Sequence, residues 1–264
     1  MTNEAGFSGD NKDADDGLLP EGGKVMSLLD HLGELRGRII KSLLAVIAFF
    51  VFALFFSREI IEFLKQPLLE VLPANANSLH FTGPMDVFIV SIKVSFLASL
   101  LAACPVWIYQ FWRFVEPALY EHERKWILPF IFVSTALFIS GVAFCYFIIF
   151  PMTLNFLIGL GTEVATSIIT ITDYTSLLVI LVVAFGLVFQ TPLILVLLAV
   201  LDLIDVNTLA KNRRFVIVGI LTVSAILTPP DPMSQVGLAV PMYVMFEVSI
   251  LIIRFIKRER SEKV

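Results

Sequence analysis

Pro105 to Lys125, PVWIYQFWRFVEPALYEHERK, lies between two apolar runs that are each long enough to cross a bilayer. A connection so placed is expected at the membrane surface, and reading it this way makes the chain a succession of spans and loops. Its composition is unusual for such a loop. Trp107, Tyr109, Phe111, Trp112, Phe114 and Tyr120 stand among Glu116, Glu121, Glu123 and the bases Arg113, Arg124 and Lys125. Aromatic bodies with polar tips settle at the headgroup level. Carboxylates gain nothing from the bilayer there, so their presence asks for a binding explanation.

Working outward, 58 % hydrophobic residues, 16 % charged residues and a mean hydropathy of +0.88 exclude a soluble globular domain. Six spans are predicted: Ile39–Phe56, Val87–Trp107, Trp126–Phe150, Leu177–Leu201, Phe215–Leu227 and Val236–Ile253. The fifth, with 13 residues, covers only about 20 Å of a hydrocarbon core roughly 30 Å thick. With a cytoplasmic N-terminus, the inside segments carry 16 of the 19 lysines and arginines, counting Lys41 at the inner end of the first span. Only Arg58 and Lys65 fall in an outside loop, and Lys93 sits within the second span. The positive-inside rule then places both termini in the cytoplasm. The net charge of −4 does not oppose this, because acidic residues contribute little to orientation.

Residues 1–24 are Gly-rich and acidic and are expected to form a disordered cytoplasmic tail; 25–256 form the six-helix domain, and 257–264 a basic cytoplasmic tail. No cleavable leader is expected, since the acidic stretch lacks a basic region followed by an apolar one. Cys104 and Cys145 show neither paired nor metal-ligand spacing and read as small apolar packing residues. In the first outside loop, Ser57–Leu72 has amphipathic helical spacing, interrupted by Pro67, and suggests a cap on the outer surface. Thr170, Thr172 and Asp173 offer capping oxygens to the fourth span. Pro229, Pro230 and Asp231 make a stiff turn that ties the fifth and sixth spans into a hairpin. Pro105, Pro129, Pro151, Pro192 and Pro241 punctuate the spans, which favours kinked helices in a curved wall over a parallel bundle. No internal repeat is visible.

Several polar residues could carry function, and each has a plainer alternative. Glu34, just before the first span, is spaced to pair with Arg38 at i,i+4. Glu123 could be an ordinary solvated loop carboxylate beside Arg124 and Arg113. Lys93 can snorkel outward. Gln190 and Glu247 sit nearer the middle of their spans, where a polar group needs a partner, a cavity or a proton. Enzymatic readings find little support. His31, His80 and His122 all lie outside the spans, and no metalloprotease motif, paired intramembrane aspartates or phosphate loop occurs.

Four separated motifs now resemble one known family. They are SLLDHLGELR from Ser27 to Arg36, FVEPALYEHER from Phe114 to Arg124, LTPPD from Leu227 to Asp231, and PMYVMFE from Pro241 to Glu247. Together they are similar to the TatC family, the multispanning subunit of the twin-arginine protein translocase, from about Ser27 to Arg254. The resemblance implies a concave all-α integral membrane protein of six helices in the bacterial cytoplasmic (inner) membrane. It implies a receptor for signal peptides with paired arginines, which nucleates export of folded proteins on the proton-motive force. Carried over residue by residue, Glu34, Arg36, Phe114, Pro117 and Glu123 match the receptor positions. The chemistry agrees, since guanidinium groups take carboxylates through charge-assisted, often bidentate bonds that lysine does not reproduce. The implied partners are the single-span proteins TatA and TatB, membrane lipid, and further copies of the chain within the complex, with no nucleic acid, no cofactor, no metal and no covalent chemistry. One position departs: many members carry a glutamate where this chain has Gln190, which removes a titratable group but leaves a hydrogen-bonding role. The competing reading is a secondary transporter or channel for a small solute or ion, and only Lys93, Gln190 and Glu247 could furnish its midplane site.

Overall fold

A computed structural model describes residues 28–71, 80–118, 127–162, 169–201, 203–228 and 232–261. Helix α1 (Leu28–Phe55) is followed by two short helices, α2 (Ser57–Leu64) and α3 (Gln66–Val71). Then come α4 (Asp86–Ala102), α5 (Cys104–Val115), a 3-10 turn at Glu116–Ala118 and α6 (Ile127–Phe144). A π turn at Cys145–Ile149 joins α6 to α7 (Phe150–Thr162). After these stand α8 (Ile171–Val188), α9 (Thr191–Val200), α10 (Val206–Lys211), α11 (Arg213–Leu227) and α12 (Pro232–Ser261).

Four continuous helical stretches are long and apolar enough to cross a membrane: His31–Phe55, Ile127–Gly159, Ile171–Ala199 and Pro232–Ile256. The bent pair Asp86–Ala102 and Cys104–Val115, meeting at 54°, supplies a fifth if it is one crossing. At 15 residues, α11 is the short element expected from the sequence and falls below that length. The chain is therefore a multi-pass all-α membrane protein.

The prolines explain where the long helices bend. Pro105 stands in the first turn of α5, and at this break the carbonyl of Leu100 accepts the Trp107 indole N–H at 3.2 Å. Pro192 likewise opens α9, and the Val188 carbonyl that its ring would crowd accepts Thr191 Oγ1 at 2.6 Å. Pro151 follows the π turn, a widened turn that relieves the clash with the carbonyl four residues back. Pro241 is carried inside α12 without a break.

The core is centred on α8. Leu178, Leu181, Phe185, Phe150 and Leu238 are fully enclosed there. Two glycines bring α6 and α8 together. A methyl at Gly141 would lie 2.7 Å from Phe189 and 2.8 Å from the backbone oxygen of Phe185, and one at Gly186 would lie 2.6 Å from the Phe138 ring. Small residues at a crossing are how membrane helices gain close van der Waals packing without a hydrophobic drive. Cys104 and Cys145 are buried free thiols, as expected of packing residues.

The amphipathic segment after α1 does fold into short helices. Leu68 is fully buried, and the hydroxyls of Tyr146 and Tyr174 donate to the carbonyls of Phe63 and Leu64 at 2.7 and 2.5 Å. A parallel bridge ties this end together: His80 N–H donates to Ile169 O at 3.1 Å, and Ile171 N–H to His80 O at 2.9 Å. Thr170 caps α8 by accepting from the Asp173 N–H at 3.1 Å, while its hydroxyl donates to Asp173 Oδ2 at 2.6 Å.

The aromatic stretch is the main correction. Residues expected to form a surface loop from Pro105 are helical as far as Val115. Cys104, Ile108 and Trp112, at i, i+4 and i+8, make a buried stripe against α6. Trp112 stacks on Phe130 at 5.0 Å and donates to Ser134 Oγ at 2.7 Å. Trp107 meets Phe138 edge-on at 5.2 Å. Those indoles are packing groups, and among the described residues of the stretch Tyr109 and Phe111 are the aromatics left exposed.

Candidate functional site

The first turns of α1 and the last turn of α5 meet at one end of the molecule. The His31 ring stacks on Phe114, centroids 4.3 Å apart and planes 14° off parallel. This contact joins two motifs separated by some eighty residues of sequence. Glu34 follows one turn along α1 and forms an ion pair with Arg38, whose Nε donates to Oε1 at 3.0 Å. That is the i,i+4 pairing the spacing allowed. It uses only one carboxylate oxygen. Oε2 is buried and has no hydrogen-bond partner among the described residues, a costly state for a charged oxygen unless a donor arrives.

Arg36 is exposed on the same turn, and Phe114 is half-buried beneath His31. Pro117 sits exposed in the 3-10 turn Glu116–Ala118. Arg113 donates to Glu116 at 2.5 Å, so that arginine is engaged before Glu123 is reached. Glu123 lies outside the described residues, as do Pro229, Pro230 and Asp231 and the expected tail 1–24. Ser27, the first residue of the first motif, lies outside them too.

The three polar residues within the spans are each engaged, at three different places. Lys93 Nζ donates to Ser176 Oγ on α8 at 2.8 Å. Gln190, at the break between α8 and α9, donates through Nε2 to the Ser134 carbonyl at 2.9 Å. Ser134 thus serves two helices, since its hydroxyl accepts from Trp112. Sequence reasoning missed it because a lone serine in an apolar run carries no spacing signal. Glu247 accepts Arg213 Nη2 at 2.9 Å on Oε2 and the Tyr243 hydroxyl at 2.9 Å on Oε1. Of the partner, cavity or proton that the sequence left open for Glu247, the structure supplies in-chain partners. A solute site would need these groups to converge, and among the described residues they do not.

The comparisons with known proteins bear on this arrangement. The family model for the Sec-independent protein translocase protein (TatC) matches residues 30–241. The chain belongs to the TatC family. A TatC from Magnetococcus marinus is 40 % identical over 236 residues, 89 % of this chain and 87 % of that one. The Escherichia coli K12 TatC is 38 % identical over 228 residues, covering 86 % and 88 %. A crystal structure of a twin-arginine translocase receptor, TatC, in DDM superposes with a TM-score of 0.76 at 38 % identity, covering 84 % of this chain and 98 % of that one. As a TatC-family member this protein is a Sec-independent protein translocase component, a transport subunit within a translocase complex. Both the Glu34 turn of α1 and the Phe114–Pro117 end of α5 lie inside the matched span.

Proposed function

We propose that this protein is the receptor subunit that binds paired-arginine signal peptides and nucleates export of folded proteins across the bacterial cytoplasmic membrane. The observation that carries the reading is the His31–Phe114 stack, which sets Glu34 beside the end of α5. There Glu34 keeps one carboxylate oxygen unmet. A guanidinium arriving at Oε2 would complete the coordination that Arg38 begins, and Glu123 would take the second arginine from the segment that follows Pro117. Arg36, exposed beside the pair, would repel a misplaced cation and set the register.

In this reading the chain crosses the membrane six times, α11 being the short crossing, with a concave face and both termini cytoplasmic. The distribution of bases supports it. Reporter fusions at Ala76 and Thr162 should read as external. TatA and TatB would associate along the α8–α12 side, with Gln190 near the contact, and further copies would complete the complex on the proton-motive force. Gln190→Leu removes the bond to Ser134 together with the proposed contact, and should weaken TatA or TatB crosslinking without unfolding the chain. Unchanged crosslinking would assign Gln190 to internal packing alone.

The receptor test is direct. A partly desolvated arginine–carboxylate bond is worth roughly 1.5–3 kcal/mol, or about 10- to 100-fold in affinity. Glu123→Gln should weaken binding of a twin-arginine peptide by that factor, and Glu123→Arg should abolish it. Changing both Glu34 and Glu123 to glutamine should erase the preference for two arginines over two lysines. A double variant that keeps the preference at full strength would overturn the receptor assignment.

A further inference from the structure

The relative height of α11 and α12 can be read from three contacts: Arg213 with Glu247, Gln235 Nε2 to Leu221 O at 3.3 Å, and Ser224 Oγ to Met242 Sδ at 3.8 Å. They describe an antiparallel pair with the first residue of α11 beside Glu247. The apolar run of α12, however, continues to Ile253, just before Arg254, about 9 Å farther at 1.5 Å per residue. Over that length α11 has nothing to offer. Val196 and Ala199 of α9 and Val206 of α10 pack there instead, against Ile250 and Ile253. The charged start of α11 therefore lies well inside the apolar length of its neighbour.

Left to itself, an arginine at that height would extend its side chain toward the nearer headgroups and draw the helix end with it. Here its guanidinium is held. Nη2 donates to Oε2 of Glu247 at 2.9 Å, and Nε lies 2.8 Å from Oε1. Oε1 also accepts the Tyr243 hydroxyl from one turn away on α12. Both oxygens are thereby occupied, and the ion pair is only partly exposed, 43 % at Arg213 and 29 % at Glu247.

We propose that Glu247, clasped by Arg213 and Tyr243, is the positioning residue that holds the first turn of α11 about 9 Å inside the apolar length of α12. The whole shortfall of α11 then falls on the α10 side of the bilayer, leaving that leaflet to meet Arg213, Arg214 and α10. This goes beyond the receptor reading and does not depend on it.

Spin labels on full-length protein in vesicles of phosphatidylethanolamine and phosphatidylglycerol test the idea. One label replaces exposed Phe215 in the first turn of α11, and a reference label replaces exposed Val223 near its other end. Depth is read by power saturation. Glu247→Gln or Arg213→Gln should move the Phe215 label toward the α10-side headgroups by about one turn, roughly 5 Å, with a smaller change at Val223. Exchanging the charges, Arg213→Glu with Glu247→Arg, should restore the depth. Should the single variants not fold, Tyr243→Phe removes one hydroxyl and should give a smaller shift in the same direction. Unmoved labels in the folded variants, or a charge exchange that fails to restore depth, would overturn the proposal. Twin-arginine peptide binding on the same samples is expected to be unchanged, which separates this question from the receptor assignment.

Discussion

The spans of α1 and of α8 with α9 are both strongly apolar, yet their surroundings differ greatly. Only 6 % of the apolar stretch in His31–Phe55 is buried within the protein, against 56 % in Ile171–Ala199. Each region contains glycine. In α1, Gly33 and Gly37 face open space. At the α6–α8 crossing, Gly141 and Gly186 sit where no added methyl would fit. In a bilayer, apolarity places a helix in the membrane but does not say what it touches, because lipid is as apolar as leucine. Close packing and polar bonds make the distinction. Thus α8 is the pillar of the fold, while α1 is held along α4 and α5 and leaves most of its surface to lipid.

The sharpest way to break this comparison is to add one methyl at the crossing. Gly141→Ala puts Cβ against the backbone oxygen of Phe185 as well as the Phe189 ring, so repacking requires a helix to move. Overpacking of this kind costs about 1–3 kcal/mol, and thermal unfolding in detergent should fall by several degrees. Gly186→Ala should fall somewhat less, since its obstacle is the Phe138 ring. Melting unchanged for both would mean that the crossing tolerates more space than the contacts imply.

A smaller effect is expected where α5 joins α6. Ser134→Ala removes the acceptor of the Trp112 indole but keeps the backbone carbonyl that Gln190 uses. The loss should be about 1 kcal/mol, with Gln190 still bonded, and tryptophan fluorescence should shift as the indole loses its partner.

At the exposed end, His31→Ala should cost about 0.5–1.5 kcal/mol of local coupling between α1 and α5, the usual worth of an aromatic contact. His31→Phe should recover it. The measurement is disulfide crosslinking between cysteines placed at Gly33 and Pro117, with equal yields in all three proteins counting against the stack. The least effect belongs to Gly37→Ala. With open space around the site, melting should stay within about 0.5 kcal/mol of the parent, as for surface substitutions away from special features.

How much of this was legible beforehand depends on the kind of signal. Long apolar runs are additive along the chain, so each long helix was located and α11 was recognised as short. Even so, α1 begins at Leu28 and the third stretch runs on to Gly159, well beyond the apolar runs themselves. Capping of α8 by Thr170 and the amphipathic helices after α1 are also local events, decided within one or two turns. The aromatic segment misled because Pro105 and its polar neighbours look like a loop. Proline is compatible with the first turn of a helix, and the stripe of Cys104, Ile108 and Trp112 carries the stronger period. For the site, the sequence offered the types and spacing of Glu34, Arg36, Phe114, Pro117 and Glu123, together with the likeness to a family. It could not tell whether Glu34 would pair along its helix or stay open. The structure shows that it does both, one oxygen to each.

Taken alone, then, the sequence determined that this is a multi-pass helical membrane protein, where its long apolar stretches lie and where prolines punctuate them, and which family it resembles. These follow from transfer of side chains to the bilayer and from backbone chemistry at proline, both of which act over a few residues. Tertiary structure decided which apolar helix became the core, that His31 meets Phe114, and that Gln190 finds Ser134 while Glu247 finds Arg213. Such choices rest on close packing and on polar groups seeking partners in a medium without water, and those partners lie tens of residues away along the chain.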